Sequence, residues 1–171
     1  MLERGSNVVL VGLMGAGKST VGRELAALLG FAFIDTDEEL ERRMGVSIPI
    51  IFDVEGEYGF RKRESNVIKD IPELKNTVIS TGGGAILSKQ NRANLQLSGK
   101  VVYLSATVDV LYERTKNSKK RPLLKEGSIR QDLENLLTQR ESLYKQVSDI
   151  IVQSGKCTPK EMAKLIAKKL D

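Results

Sequence analysis

Residues 12–19 read G-L-M-G-A-G-K-S, so Gly12, Gly17, Lys18 and Ser19 stand at the spacing G-x-x-x-x-G-K-[ST]. That spacing suits phosphate. Glycines let a backbone curl tightly and come close to a ligand. The N–H groups of such a turn, Gly15, Ala16 and Gly17 among them, then point inward as an anion nest at a helix N-terminus. Lys18 supplies a point charge for β- and γ-phosphates, and Ser19 a hydroxyl for Mg²⁺. An apolar run at 8–11 precedes the motif, and Val21, Leu25 and Leu28 follow it at helical spacing. This is the strand–loop–helix setting that the motif requires.

Other polar residues come in suggestive places. Asp35 and Asp37 follow a second apolar run as D-T-D. Two apart on an extended segment, they point the same way. One carboxylate then helps to hold Mg²⁺, directly or through its waters, and the other accepts a hydrogen bond from an attacking hydroxyl. The position of Asp37 also permits it simply to cap the helix that follows. Gly82, Gly83 and Gly84 follow a third apolar run and read as a ligand-facing loop that something must approach closely. Arg61 and Glu64 lie at i, i+3 in G-F-R-K-R-E, Arg121 lies in K-K-R-P-L-L, and Arg140 in Q-R-E-S-L-Y. Taken singly, these read equally well as a surface ion pair worth little, a solvated charge run and a helix-surface residue.

Composition narrows the chemistry. The 171 residues include no histidine, which removes the commonest general base and zinc ligand. Catalysis must use carboxylates, Lys, Arg and a hard metal. The single cysteine, Cys157, precludes an internal disulfide and reads as an inert side chain in a reducing compartment. The net charge of +5 raises nucleic-acid binding, but the distribution argues against it. Lys160, Lys164 and Lys168 recur opposite Met162, Ile166 and Leu170, an ordinary solvated helix face, and aromatics at 5% offer no stacking platform. No apolar run approaches a membrane span, and 8–13 is too short for a secretory signal. The expected location is cytoplasmic.

The elements that must position these residues alternate. Strands are expected at 8–11, 31–34, 77–80, 101–104 and 150–152, and helices at 19–29, 37–44, 90–97, 108–115 and 128–144. A last helix begins at Thr158, with Pro159 at its first position and Glu161 completing a capping box. The pattern implies one domain with a parallel sheet between two layers of helices. Ligands then bind outside the carboxyl ends of the strands, where the phosphate loop, D-T-D and the triple glycine converge. Two segments interrupt the alternation. One, at about 45–70, is helical and broken by Gly56 and Gly59; its Pro49 suits a first turn capped by Ser47. The other, at about 116–127, is basic, poor in aliphatics and without helical pattern; it reads as a mobile lid.

Taken together, G-L-M-G-A-G-K-S-T, D-T-D, G-E-Y-G-F-R-K-R-E, T-G-G-G-A, R-P-L-L and R-E-S-L-Y occur in this order, and the chain resembles the shikimate kinases from Val8 to its last helix. The resemblance implies a P-loop kinase fold with a five-stranded parallel sheet of order 2-3-1-4-5. It implies transfer of the γ-phosphate of ATP to the 3-hydroxyl of shikimate, with one Mg²⁺. A monomer is expected because no exposed apolar stripe stands out in the sequence, with no nucleic-acid or membrane partner. The resemblance places Gly15, Ala16, Gly17, Lys18, Ser19 and Thr20 on the nucleotide phosphates, Ser19 and Asp35 on Mg²⁺, and Arg114 and Pro159 near adenine. Asp37 would bond the reacting hydroxyl. Arg61 and Arg140 would grip the substrate carboxylate with the glycine loop, Glu64 would orient Arg61, and Phe52 and Phe60 would wall the ring. Arg121 would reach the transferring phosphate from the lid, beside Lys119 and Lys120. A gluconate kinase on the same scaffold, or a non-catalytic nucleotide-binding module, are the other readings. The paired arginines and D-T-D favour shikimate over the first, and the presence of Lys18, Asp37 and Arg121 disfavours the second.

Overall fold

The computed structural model describes residues 6–118, 121–125 and 127–171. Five strands form one parallel sheet: β1 (Asn7–Val11), β2 (Ala32–Asp35), β3 (Thr77–Ser80), β4 (Gly99–Ser105) and β5 (Ile150–Gln153), in the order β2-β3-β1-β4-β5. The central strands carry continuous apolar runs because helices cover both faces. β1 is buried throughout, and Val78, Ile79 and Val101–Leu104 are equally inaccessible. Helices α1 (Lys18–Leu29), α2 (Thr36–Met44), α3 (Ile48–Ile68), α4 (Lys89–Ser98), α5 (Val108–Thr115), α6 (Ile129–Val147) and α7 (Pro159–Leu170) complete three layers. Register aligns the strand ends that matter: Ser80 stands beside Leu10 on one side and Asp35 on the other. The loops after β1, β2 and β3 therefore open at one edge.

The capping signals act as expected at α7, where Thr158 and Glu161 form the reciprocal box. Met162, Ile166 and Leu170 are buried there while Lys160, Lys164 and Lys168 stay exposed. Elsewhere the local chemistry differs. Asp35, not Asp37, caps α2, accepting from the Asp37 and Glu38 N–H groups. β2 ends at Asp35 and Asp37 already lies in the first turn of α2, so the two carboxylates do not share an extended segment. Ser47 occupies the N-cap of α3 without bonding through its hydroxyl. The Glu41 carboxylate receives the Ile48 N–H instead, at 3.1 Å, and Pro49 sits in the first turn, where its missing N–H costs nothing.

Helix α3 runs across the segment expected to be broken twice. Only Gly56 leaves helical geometry (φ 70°, ψ −175°); Gly59 stays helical, with Glu55 packed over it. A satellite core of Leu40, Ile51, Phe60 and Val67 pins α3 to α2, with Met44, Ile48 and Phe52 packed around it. Each such buried side chain contributes about 1.5–3 kcal/mol. Among the described residues no helix is long and apolar enough to cross a membrane. The expected lid lies between α5 and α6. Its Lys119 and Lys120 fall outside the described residues, and its Leu124 packs on the main core, a core-facing contact that the basic composition hides.

Candidate active site

The phosphate loop joins β1 to α1. Gly17 takes the left-handed conformation (φ 96°) as N-cap of α1, which a side chain would strain. Lys18 is 8% exposed, and its Nζ donates to the Gly12 and Leu13 carbonyls at 2.7 and 3.0 Å. Burial lowers its pKa to about 8 although Asp37 pulls upward. The Ser19 hydroxyl donates to Asp35 Oδ2 and lies 3.1 Å from Ser80 Oγ. Ala16 is turned into the protein: its N–H donates to Leu13 O at 3.1 Å, and its carbonyl accepts from Arg114 and Ser154.

Around this loop lies a cavity of about 540 Å³ bordered by Gly15, Gly17, Lys18, Ser19, Thr20, Asp35, Asp37, Arg114 and Arg121. A second, of about 180 Å³, continues along α1 and is lined by Arg114, Ser154, Cys157 and Pro159. Arg114 Nη1 is tied to Gly15 O, Ala16 O and Ser154 Oγ at 3.0–3.1 Å, so its guanidinium is held as part of the wall. The residues around Ser19 are hard oxygen donors: the Ser19 and Ser80 hydroxyls and the Asp35 carboxylate. Among the described residues no group of three or more His, Cys, Asp or Glu side chains is placed to hold a metal alone. This set fits Mg²⁺, which takes one or two protein oxygens and keeps waters and phosphate oxygens for the rest.

A third cavity, of about 100 Å³, lies under α3 and contains Asp37, Phe52, Phe60, Arg61, Glu64, Arg140 and all three glycines 82–84. Its roof includes Arg121, Pro122 and Leu123 from the expected lid. Asp37 and Arg121 border both this cavity and the 540 Å³ one. Burial raises the Asp37 carboxyl to about 7; the neighbouring Asp35 and Glu64 add to the shift, and Lys18 and Arg61 oppose it.

Arg61 is held from three sides. Glu64 Oε1 accepts from its Nη1 at 2.9 Å, Glu57 Oε1 from its Nη2 at 3.3 Å, and the Phe60 ring lies 5.0 Å from its guanidinium carbon. Gly84 runs against that guanidinium so closely that any Cβ would collide with it. Glu64 is 1% exposed, and burial pushes its pKa up against the pull of Arg61. Arg140, 3% exposed, is the residue most changed by folding. Read from the sequence as a possible surface side chain, it is carried by α6 into the cavity wall. Its Nε and Nη1, together with Arg61 Nε, Arg121 Nε and Glu64 Oε2, are buried atoms without a hydrogen-bond partner. Unpaired buried donors are costly, and this cluster of them borders one cavity.

Several participants carry no decisive signal in the sequence. Ser80 joins the cluster only because β3 lies beside β2. The Thr36 hydroxyl receives the Gly82 N–H at 3.2 Å, and Ser154 reaches Ala16 across 138 residues. Tyr144 donates its hydroxyl to the Gly83 carbonyl. Its spacing of four from Arg140 puts both on one face of α6, a signal that was present in R-E-S-L-Y.

Comparison with known proteins bears on this geometry. The family model for shikimate kinase matches residues 14–171. A shikimate kinase from Histophilus somni is 51% identical over 166 residues, covering 96% of this chain and 95% of its own. The structure of the shikimate kinase from Acinetobacter baumannii in complex with shikimate superposes with a TM-score of 0.94 at 44% identity, over 96% of this chain and 92% of that one. A gluconokinase from Sinorhizobium meliloti shares 17% identity and a TM-score of 0.57 over 98% and 93% of the two chains, a likeness of fold alone. With the five-stranded order, the phosphate loop and the arginine-lined cavity in place, the match over nearly the whole length is decisive, and the chain belongs to the shikimate kinase family.

Proposed function

We infer that the chain, as a single domain with a substrate-binding insertion at about 45–70 and a lid at about 116–127, transfers the γ-phosphate of ATP to the 3-hydroxyl of shikimate, giving shikimate 3-phosphate and ADP. The observation that carries this reading is the meeting of two cavities at Asp37 and Arg121, one floored by the phosphate loop and the other walled by guanidinium groups with unpaired nitrogens. A planar carboxylate is the complement of two such forks. Its arrival would satisfy donors that otherwise stay buried and unpaired, so ordering the site is offset by the bonds it gains.

Each group then has one task. Arg61, braced by Glu64, and Arg140 hold the carboxylate, while Phe52 and Phe60 flank the ring. Lys18 exchanges the Gly12 and Leu13 carbonyls for phosphate oxygens. Asp37 accepts the proton of the attacking hydroxyl; a carboxyl raised to about 7 is matched to that transfer near neutral pH. Arg121 lies where charge develops on the transferring group and stabilises it best in a dry, closed site. Arg114 and Pro159 border the nucleobase. Ser19 and Asp35 would hold Mg²⁺, which when bound neutralises charge on the phosphates. Phosphoryl transfer asks for positioning and charge more than for covalent chemistry, so the lack of histidine is no obstacle. The reading includes a cytoplasmic monomer, consistent with the lone exposed thiol of Cys157.

A coupled ADP assay with Mg²⁺ and ATP tests it, with shikimate, gluconate and nucleoside monophosphates compared side by side. Shikimate alone should raise ADP release above background. Release with gluconate instead would make this a sugar-acid kinase, and ATP binding without any turnover would make it a non-catalytic module.

A further inference from the structure

The glycine loop lines the acceptor cavity, yet nothing in its own sequence can hold it still. Three glycines in succession bring no side chain to anchor, and each has more conformational freedom to lose than any other residue. The loop must be fixed from outside. Two fixings are local, Ala85 N–H to Gly82 O and Leu87 N–H to Gly84 O, both at 3.1 Å, and a third comes from 46 residues away, Gly82 N–H to the Thr36 hydroxyl. The fourth comes from 61 residues away, the Tyr144 hydroxyl on the Gly83 carbonyl.

We propose that Tyr144 is a positioning residue for the acceptor substrate, acting through the Gly83 peptide; this rests on the kinase reading above. Tyr144 is fully buried, touches neither cavity, and stacks on Tyr103 of β4 with ring centroids 5.0 Å apart and planes at 23°. The stack makes it a rigid post rooted in the sheet. Because the peptide unit is planar and trans, holding the Gly83 oxygen also fixes the direction of the Gly84 N–H on its opposite side. The backbone so fixed lies beside both guanidinium groups. At Gly84 a Cβ would collide with Arg61, and at Gly83 it would lie 3.5 Å from the unpaired Arg140 Nη1. Arg140 and Tyr144, four apart on α6, thus set the side-chain and backbone halves of one carboxylate grip. Gly82 and Gly83 also border the nucleotide-side cavity, but the floor of that cavity is the phosphate loop, which has its own fixings, Lys18 to Gly12 and Leu13.

The expected effect is therefore lopsided. Tyr144→Phe keeps the ring, its volume and the stack, and removes only the hydroxyl. The KM for shikimate should rise about tenfold and kcat fall, since small misplacements of a grip are felt strongly in rate. The KM for ATP should stay within about twofold. The Gly82–Gly84 amide resonances of the ligand-free protein should shift. Tyr103→Phe, which removes the neighbouring hydroxyl and keeps the stack, should do none of this. An unchanged KM for shikimate, equal rises for both substrates, or unmoved glycine amides would each overturn the proposal and leave Tyr144 a residue of the core. The wild-type assay separates the failures: a wild type that does not phosphorylate shikimate overturns the kinase reading and this proposal with it.

Discussion

Asp37 and Arg61 show at the scale of single residues how burial is used. A carboxyl whose folded pKa is raised from an ordinary 3.8 to about 7 contributes stability that is complete below about pH 4 and is lost as the pH rises through about 7. At neutral pH the charged Asp37 therefore burdens the fold in order to serve as proton acceptor. Asp37→Asn should lower kcat by at least about a hundredfold yet raise Tm relative to wild type, more at pH 8 than at pH 5. Thermal melts at the two pH values check this, and a lower Tm for the variant at pH 8 would show that the carboxylate is not strained. In the wild type, kcat/KM for shikimate should climb with pH and level off above about 7. Arg61 presents the complementary case. Arg61→Lys keeps the charge and loses the fork that Glu64 braces. Its KM for shikimate should rise at least about tenfold with little change for ATP, and equal losses for the two would move Arg61 out of the acceptor site.

At the scale of elements, α3 and residues 121–123 of the expected lid both line the acceptor cavity. α3 is anchored by its satellite core, so it presents Phe60, Arg61 and Glu64 as a rigid row. The other segment is attached more lightly: Leu124 packs on the core, and Lys125 N–H is held by Asp132. It contributes Arg121, whose Nε has no partner. A side chain with so few bonds adds little to folding. Arg121→Ala should lower kcat by about a hundredfold or more and leave Tm nearly unchanged. Hydrogen exchange across 116–127 should slow only when nucleotide and shikimate are both bound. Exchange that is already slow without ligands, together with an Arg121→Ala protein that fails to fold, would make the segment structural.

At the scale of the whole molecule, the two substrates meet at groups shared by both cavities. Ligands that bind only the folded state stabilise it by mass action, by about 2.7 kcal/mol at a hundredfold excess over Kd. For a chain of this length that corresponds to a Tm rise of roughly 5–10 °C. Mg²⁺-ADP and shikimate should each raise Tm, and the pair together by at least the sum. A pair effect smaller than either single effect would mean that the ligands compete for one cavity.

The sequence by itself determined much of what depends on local spacing, though not the caps of α2 and α3 or the helical geometry of Gly59. Runs of apolar residues marked all five strands, and those of the three central strands are continuous because helices cover both faces there. The phosphate loop was legible because a short turn at a helix start needs glycines at fixed places, and the helix of Thr158 because its cap is made within four residues. The ordered motifs also carried the family. Only the tertiary structure decided what depends on which elements become neighbours. Strand order put Ser80 beside Asp35. The end of β2 gave the capping task to Asp35 and freed Asp37 for the cavity. The docking of α6 turned Arg140 from a plausible surface charge into a buried one and brought Tyr144 to the glycine loop. Burial then set the pKa values of Lys18, Asp37 and Glu64. Desolvation is a property of the surroundings, and a linear sequence does not specify surroundings until the chain has folded.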